Sequence, residues 1–220
     1  MASEDISGHL SQQRHWSVVF SANPDMYGAQ PSEAAISAAD YFADHAVDAV
    51  LELGAGQGRD TMFFDSQGFK VVALDYADDA IRQLSAKSAN TGPNGVAVIR
   101  HDVRQALPFA ANSFDACYSH MLFCMALSTS QIKALMQEVR RILRPSGTIV
   151  YTVRHTGDAH YEAGIAHGDD LFENGGFVVH FFSDALVREL SDGFELVEVE
   201  PFNEGELPRQ LWRVTMRKTD

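Results

Sequence analysis

Apolar and polar positions along the chain fall into short buried runs separated by helical patterns. Ala49-Val50-Leu51-Glu52-Leu53 is apolar at nearly every position and ends abruptly in glycines, as a strand buried on both faces does. Lys70 to Asp75, Val96 to Asp102, Phe114 to Ser119 and Thr148 to Val153 repeat that pattern. Between them lie helices predicted over Asp60 to Gln67, over Ala80 to Ala89, and after Ser128, where Ile132, Leu135, Met136, Val139, Ile142 and Leu143 recur at helical spacing. Strands alternating with helices predict an α/β fold with a parallel sheet. Phe194 to Val199 and Gln210 to Met216 instead alternate apolar with polar residues and read as an antiparallel terminal pair. A helix opening at Pro31-Ser32-Glu33 precedes the first strand, and a short one is predicted over Ser183 to Leu190. Met1 to about Gln13 is small and polar and is expected to fray. Asn90 to Gly95 is a strong break, and His155 to His180 shows little periodicity and reads as a long loop.

Composition narrows the classes. At 220 residues the chain is long enough for one sizeable core and short for two, so a single domain is expected. A net charge of −13 and a pI near 5.0 argue against a broad phosphate-binding surface, so nucleic acid is not the expected partner. No run approaches the roughly 18 apolar residues of a membrane span, and Met1 to Leu10 carries no signal-peptide core. A cytoplasmic protein is the simplest expectation. Cys117 and Cys124 lie in an apolar stretch and read as buried, reduced thiols. The loop after the fifth strand contains His155, His160, His167 and His180, but no His-x-x-x-His pair, so no metal site is expected.

The chemistry gathers at strand ends. Glu52-Leu53-Gly54-Ala55-Gly56-Gln57-Gly58 puts three glycines at alternate positions between a strand and a helix, where backbone must approach a ligand closely and unpaired N–H groups face an anion. A dinucleotide fingerprint would want its third glycine where Arg59 stands. Asp75 lies 21 residues after Gly54 at the end of the next strand, suiting a carboxylate that accepts both ribose hydroxyls. Helix capping is the competing role for Asp75, and Asp78 is an equally good cap. Tyr76 follows and could rest against adenine. Asp102 ends the third strand.

Glu-x-Gly-x-Gly-x-Gly, the strand-end acids, the run Leu107-Pro108-Phe109 to Ser113-Phe114-Asp115 and the turn Leu143-Arg144-Pro145-Ser146-Gly147 resemble the class I S-adenosylmethionine (SAM)-dependent methyltransferases over about Ala49 to Val153. Ser146 stands where that family's turn has glycine. The resemblance implies a Rossmann-like, doubly wound seven-stranded sheet, mostly parallel with an antiparallel C-terminal strand. It also implies SAM as cofactor and S-adenosylhomocysteine as product, held by Glu52, Gly54, Ala55, Gly56, Gly58, Asp75 and Tyr76, by Asp102 with Val103 on the adenine edge, and by His120 beside the transferable methyl. The implied layout is an N-terminal cap element over 1–45, a SAM-binding core over 46–154, a substrate-side loop over 155–181 and a C-terminal helix with strand pair over 182–220. Within the superfamily, Gly56-Gln57-Gly58-Arg59-Asp60 and the tail from Glu204 to Lys218 resemble the tellurite-resistance methyltransferases and, more remotely, the thiopurine ones. That suggests a small acceptor with a sulfur, selenium or tellurium nucleophile.

A soft, ionised acceptor would need no base; for a hydroxyl or amine, His120 and then His155 are the candidates to remove the proton. Trp16, Tyr27, His155 and Tyr161 are candidates for the substrate pocket. Two other classes stay open: a SAM-binding regulatory or partner module without turnover, and a nicotinamide-dependent oxidoreductase, which the glycine spacing and Asp102 oppose. The Asn-Pro-Pro-Tyr run of nucleic-acid amino methyltransferases is absent. The oligomeric state has no signal in the sequence.

Overall fold

The computed structural model describes residues 2–24, 26–89, 95–205 and 209–219, with side chains from Gln12 onward. Most of the break expected at Asn90 to Gly95, and Glu206 to Pro208 of the tail, lie outside the described residues. The chain separates into two compact units, residues 1–102 and 103–220.

The first unit runs α1 (Ala2–Ala22), α2 (Glu33–Asp44), β1 (Ala49–Leu53), α3 (Arg59–Ser66), β2 (Lys70–Asp75), α4 (Asp78–Ser88) and β3 (Ala97–Arg100). β1 pairs in parallel with β2, Val50 opposite Val71 and Leu53 opposite Leu74, and β2 pairs in parallel with β3. Val50, Leu51, Leu53 and Leu74 are wholly buried, as apolar runs in a two-sided parallel sheet must be. Phe42, Phe64 and Phe69 meet with ring centroids 6.0 to 6.1 Å apart, joining α2 to α3 and the start of β2. Ser32 caps α2 by accepting the Ala35 N–H at 3.0 Å, while its own N–H and hydroxyl donate to the two carboxylate oxygens of Asp60 at 2.8 and 2.7 Å. The N-terminal stretch expected to fray is the opening of α1 instead.

The second unit runs β4 (Phe114–His120), α5 (Thr129–Ile142), β5 (Leu143–Arg154), β6 (Ile165–Gly168), β7 (Leu171–Asn174), β8 (Phe177–His180), α6 (Asp184–Leu190), β9 (Phe194–Glu204) and β10 (Arg209–Lys218). Ser128 and Gln131 form a reciprocal capping box on α5, whose buried face is Ile132, Leu135, Met136, Val139 and Ile142. The turn expected at Arg144 to Gly147 is a bulge inside β5. Phe114 pairs with Leu143 and Ala116 already with Thr148, so the extra residues loop out, with Ser146 at a φ of +60°. A Cβ on Gly147 would lie 2.8 Å from the Arg144 carbonyl oxygen, which fixes glycine there. β10 is antiparallel to both β5 and β9. The strand order is β3-β2-β1-β4-β5-β10-β9 in a seven-stranded sheet, the doubly wound, mostly parallel arrangement expected from the sequence.

The stretch from His155 to His180 departs from expectation. Its second half is a three-stranded antiparallel sheet, β6-β7-β8, with Phe172 opposite Val179 and Ile165 opposite Glu173. All four residues of β6 are exposed, so the strand has no alternation to betray it in the sequence.

Candidate cofactor and acceptor sites

In the first unit the glycine turn leaves β1 with Gly54 and Ala55 N–H groups both donating to the Leu74 carbonyl, at 2.8 and 2.9 Å. Gly54, Gly56 and Gly58 all have positive φ, at 74°, 53° and 82°, a conformation that only glycine adopts without strain. At Gly58 a Cβ would also collide with Leu84 of α4, so that glycine serves helix packing as well as the turn. Asp75, at the end of β2, accepts the Gly56 N–H on one oxygen and the Ala77 N–H on the other, each at 2.8 Å. The strand-end acid therefore fastens the glycine turn to the start of α4. Ala77 is the N-cap of α4, and Asp78 is its first residue rather than its cap.

Two buried acids set the electrostatics of this region. Glu52 is 2% exposed, and its carboxyl is bonded by the Thr61 hydroxyl. Burial and the repulsion of Asp60 push it up to about 8, against the opposing pull of Thr61 and Arg59. Burial also raises Asp75, less the pull of the N–H groups of Ala77, Gly56 and Tyr76. Asp60 is committed to Ser32 and Arg59.

α1 closes over the turn. Phe20 packs with Ala77 and Ala80, flanked by Trp16 and Tyr76, and its ring lies 3.5 Å from where a Cβ on Gly56 would be. Trp16 and Phe20 centroids are 5.3 Å apart, and Phe20 and Tyr27 6.5 Å. Arg59 lies over the Tyr27 ring at 5.5 Å. Gln57, 4% exposed, donates its amide to the Asn23 carbonyl at 2.8 Å and to Gln83 at 3.0 Å, and Gln83 donates to the Phe20 carbonyl at 3.1 Å. These amides take up carbonyls at the C-terminal end of α1. Their role could not be read from the sequence, because the partners are 34 and 63 residues away. Asp102 lies two residues beyond the end of β3 and is half-buried.

In the second unit, His120 at the end of β4 is held through both ring nitrogens. Nε2 meets Glu204 at 3.1 Å and Nδ1 meets the Thr152 hydroxyl at 2.9 Å. The Met121 N–H donates to the same hydroxyl at 2.9 Å and to the Thr152 carbonyl at 3.1 Å, with Met121 at a φ of +61°. Thr152 sits opposite His120 in the β4–β5 register, and Glu204 ends β9. The ends of β4 and β9 and Thr152 of β5 are thus brought together, at the carboxyl ends of the parallel strands β4 and β5, where open α/β sheets hold their ligands. Neither Thr152 nor Glu204 carried a sequence signal pointing to His120; the Glu204 contact spans 84 residues.

The other sequence candidates lie nearby in the chain but are differently engaged. His155 stacks on Trp212 with centroids 4.5 Å apart and an interplanar angle of 9°, and its Nδ1 accepts the Gly157 N–H at 3.0 Å. Burial holds its pKa below the usual histidine value, only partly offset by Asp158. Tyr161 donates to Asp170 at 2.8 Å and meets Phe172 and Phe181 edge-on. Arg154 and Asp158 form a buried pair that the sequence did not announce: Asp158 accepts Nε at 3.1 Å and Nη2 at 2.5 Å, plus the N–H groups of His160 and Gln210 at 2.8 Å. His160 accepts from Arg154, His167 meets Glu173, and His180 bonds the Leu127 carbonyl. Among the described residues no group of three or more His, Cys, Asp or Glu side chains is gathered to hold a metal ion. Cys117 and Cys124 are buried thiols outside any disulfide, and burial raises the Cys124 thiol to about 11.

Residues 50–147 match the methyltransferase domain family. A demethylmenaquinone methyltransferase of Thermobifida fusca is 31% identical over 98 residues, 44% of this chain and 39% of that protein. A malonyl-[acyl-carrier protein] O-methyltransferase of Erwinia pyrifoliae is 27% identical over 110 residues, 49% of this chain and 38% of that protein. The chain thus spans about two fifths of the length of these relatives. Among solved structures, 1,6-didemethyltoxoflavin-N1-methyltransferase of Burkholderia thailandensis, with 1,6-didemethyltoxoflavin and S-adenosylhomocysteine bound, superposes with a TM-score of 0.76 at 19% identity, covering 96% of this chain and 89% of that one. The fold is that of the class I SAM-dependent methyltransferases. The matched segment runs from β1 to the bulge in β5 and is similar to that methyltransferase domain family.

Proposed function

We propose that the protein transfers a methyl group from SAM to a small-molecule nucleophile. The observation that carries this reading is the Gly56–Asp75 hydrogen bond at 2.8 Å, which joins the glycine turn to the acid at the end of β2. Asp75 accepts the Gly56 N–H on one oxygen and the Ala77 N–H on the other, with the Tyr76 N–H also pulling on it, and a carboxylate offers about four acceptor positions, so it retains capacity for ribose hydroxyls. Glu52 is a buried acid whose bonded partner is a neutral hydroxyl, which suits a site that receives an ammonium group. On this reading Glu52 and the turn Gly54, Ala55, Gly56 and Gly58 hold the amino-acid end of SAM, Asp75 the ribose, Tyr76 the adenine face, and Asp102 with Val103 the adenine edge.

When bound, SAM supplies a methyl already activated by the sulfonium. The chain's own residues position the two reactants and keep water out; alignment of this kind is worth on the order of 7–11 kcal/mol in favourable cases. In the second unit His120, His155 and Tyr161 are the candidates for the acceptor; in the first unit Trp16 and Tyr27 are. Sulfur, selenium and tellurium acceptors, suggested by likeness to the tellurite-resistance group, form one arm of the test; amines and hydroxyls form the other. Calorimetric titration with SAM and S-adenosylhomocysteine is expected to show micromolar binding that Asp75→Ala removes. Folded protein that binds neither would overturn the reading, and NADH would be titrated next.

A further inference from the structure

His101 lies in the first unit, just past the end of β3 and one residue before Asp102. Its N–H donates to the Asp75 carbonyl at 2.9 Å, which carries the parallel β2–β3 pairing one step beyond the point where Asp75 stands opposite Arg100. The imidazole therefore leaves the backbone at the carboxyl ends of two parallel strands, between the acid proposed for the ribose and the acid proposed for the adenine edge. Its Nε2 is buried, and no hydrogen-bonding group among the described residues pairs with it. Such an enclosed, unpaired nitrogen lowers the stability of the free protein, and native chains seldom keep one without a use for it. The chemistry of the neighbouring acids indicates that use. An ionised carboxylate accepts hydrogen bonds and cannot donate, whereas an imidazole N–H donates. Adenine presents both kinds of group, an amino group that donates and ring nitrogens that accept. Acids at the strand ends can serve the first and not the second.

Resting on the proposed SAM site, we infer that His101 is a further specificity residue for the cofactor, whose Nε2–H donates to a ring nitrogen of the adenine base. It acts on binding alone: no bond is made or broken at the imidazole, and its proton stays in place. The unpaired nitrogen of the free protein gains its partner when the base arrives. A purine that lacks the matching ring nitrogen leaves Nε2 enclosed and unpaired with the ligand in place, and is rejected for that reason.

The experiment is calorimetric titration of S-adenosylhomocysteine and its 1-deaza, 3-deaza and 7-deaza analogues, each with one ring nitrogen replaced by C–H, into wild type, His101→Phe and His101→Gln. Wild type is expected to bind one of the analogues about 10-fold more weakly than S-adenosylhomocysteine through loss of this bond. That penalty should vanish in His101→Phe, which has no donor, and return in part in His101→Gln, whose amide can donate. S-adenosylhomocysteine itself should bind His101→Phe about 10-fold more weakly. The urea midpoint of the free His101→Phe protein should be no lower than that of wild type, because the enclosed nitrogen is gone; should that variant not fold, His101→Ala carries the same comparison. Wild type that discriminates against none of the analogues, or penalties that persist unchanged in His101→Phe, would overturn the assignment; persisting penalties with a lowered urea midpoint mark a histidine that serves packing alone. Folded wild type that binds no S-adenosylhomocysteine would overturn the SAM-site reading itself, and that shows in the first titration, before any variant is compared.

Discussion

Glu52 in the first unit and Asp158 in the second are both almost wholly buried, 2% and 4% exposed, yet their surroundings drive them in opposite directions. Glu52 has a neutral bonding partner and a like charge in Asp60 nearby, and burial lifts it to about 8. Burial pushes on Asp158 too, but the Arg154 guanidinium and the N–H groups of His160 and Gln210 outweigh it and hold the carboxyl below its ordinary value. The pair in the second unit is complete within the chain and ties the end of β5 to the 155–161 segment and the start of β10. The acid in the first unit is bonded to a neutral hydroxyl, and the pull of Arg59 does not offset its burial. Complete networks of this kind hold structure together; incomplete ones are where a ligand is expected.

The largest effect should come from breaking the complete side. Arg154→Met leaves Asp158 buried without its cation and is expected to cost about 3–5 kcal/mol, seen as a lower urea midpoint. On the incomplete side, Asp75→Ala removes charged acceptors rather than core packing. It should weaken SAM binding by at least about 10-fold, by calorimetry, as loss of a charged hydrogen bond implies.

Glu52 gives a pH signature. If the ammonium group of SAM requires its ionised form, affinity should rise about tenfold per pH unit from pH 6 towards 8 and then level off, while Glu52→Gln flattens the curve. Stability has the opposite slope. With a folded pKa of about 8 above the ordinary 4.5, the contribution of Glu52 is fully present below 4.5 and is lost as pH rises through 8, and Glu52→Gln should remove that slope from urea melts between those values. The smallest effect is a gain. Ser146 holds a φ of +60° where glycine is at ease, so Ser146→Gly should stabilise by about 0.5–1 kcal/mol, the relief of left-handed strain less the added freedom of the unfolded chain.

The same contrast explains how much the sequence disclosed. The first unit's turn was readable because its chemistry is local: a strand, three alternate glycines and an acid 21 residues on are set by chain geometry, and Asp75 indeed reaches Gly56. The terminal pair was readable from the alternation of apolar and polar residues along each strand. Glu204 could not be matched to His120, nor Asp158 to Gln210, because those pairings follow from how distant strands are laid side by side. The β6-β7-β8 sheet was hidden by short strands with little burial, and the start of α1 by its lack of an apolar stripe.

Gln57 has a consequence for behaviour in different salts. A chain with a net charge of −13 repels itself most strongly at low ionic strength, and exposed ion pairs such as Lys70–Asp48 change in strength as counterions are added. The link from the glycine turn to the end of α1 runs through the amides of Gln57 and Gln83 and the carbonyls of Phe20 and Asn23, none of which bears a charge. These four groups give counterions little to screen; the charged contact beside them is the Lys87 ammonium on the Gln57 carbonyl at 2.9 Å, so most of the grip of α1 on the turn is indifferent to the ionic medium around it.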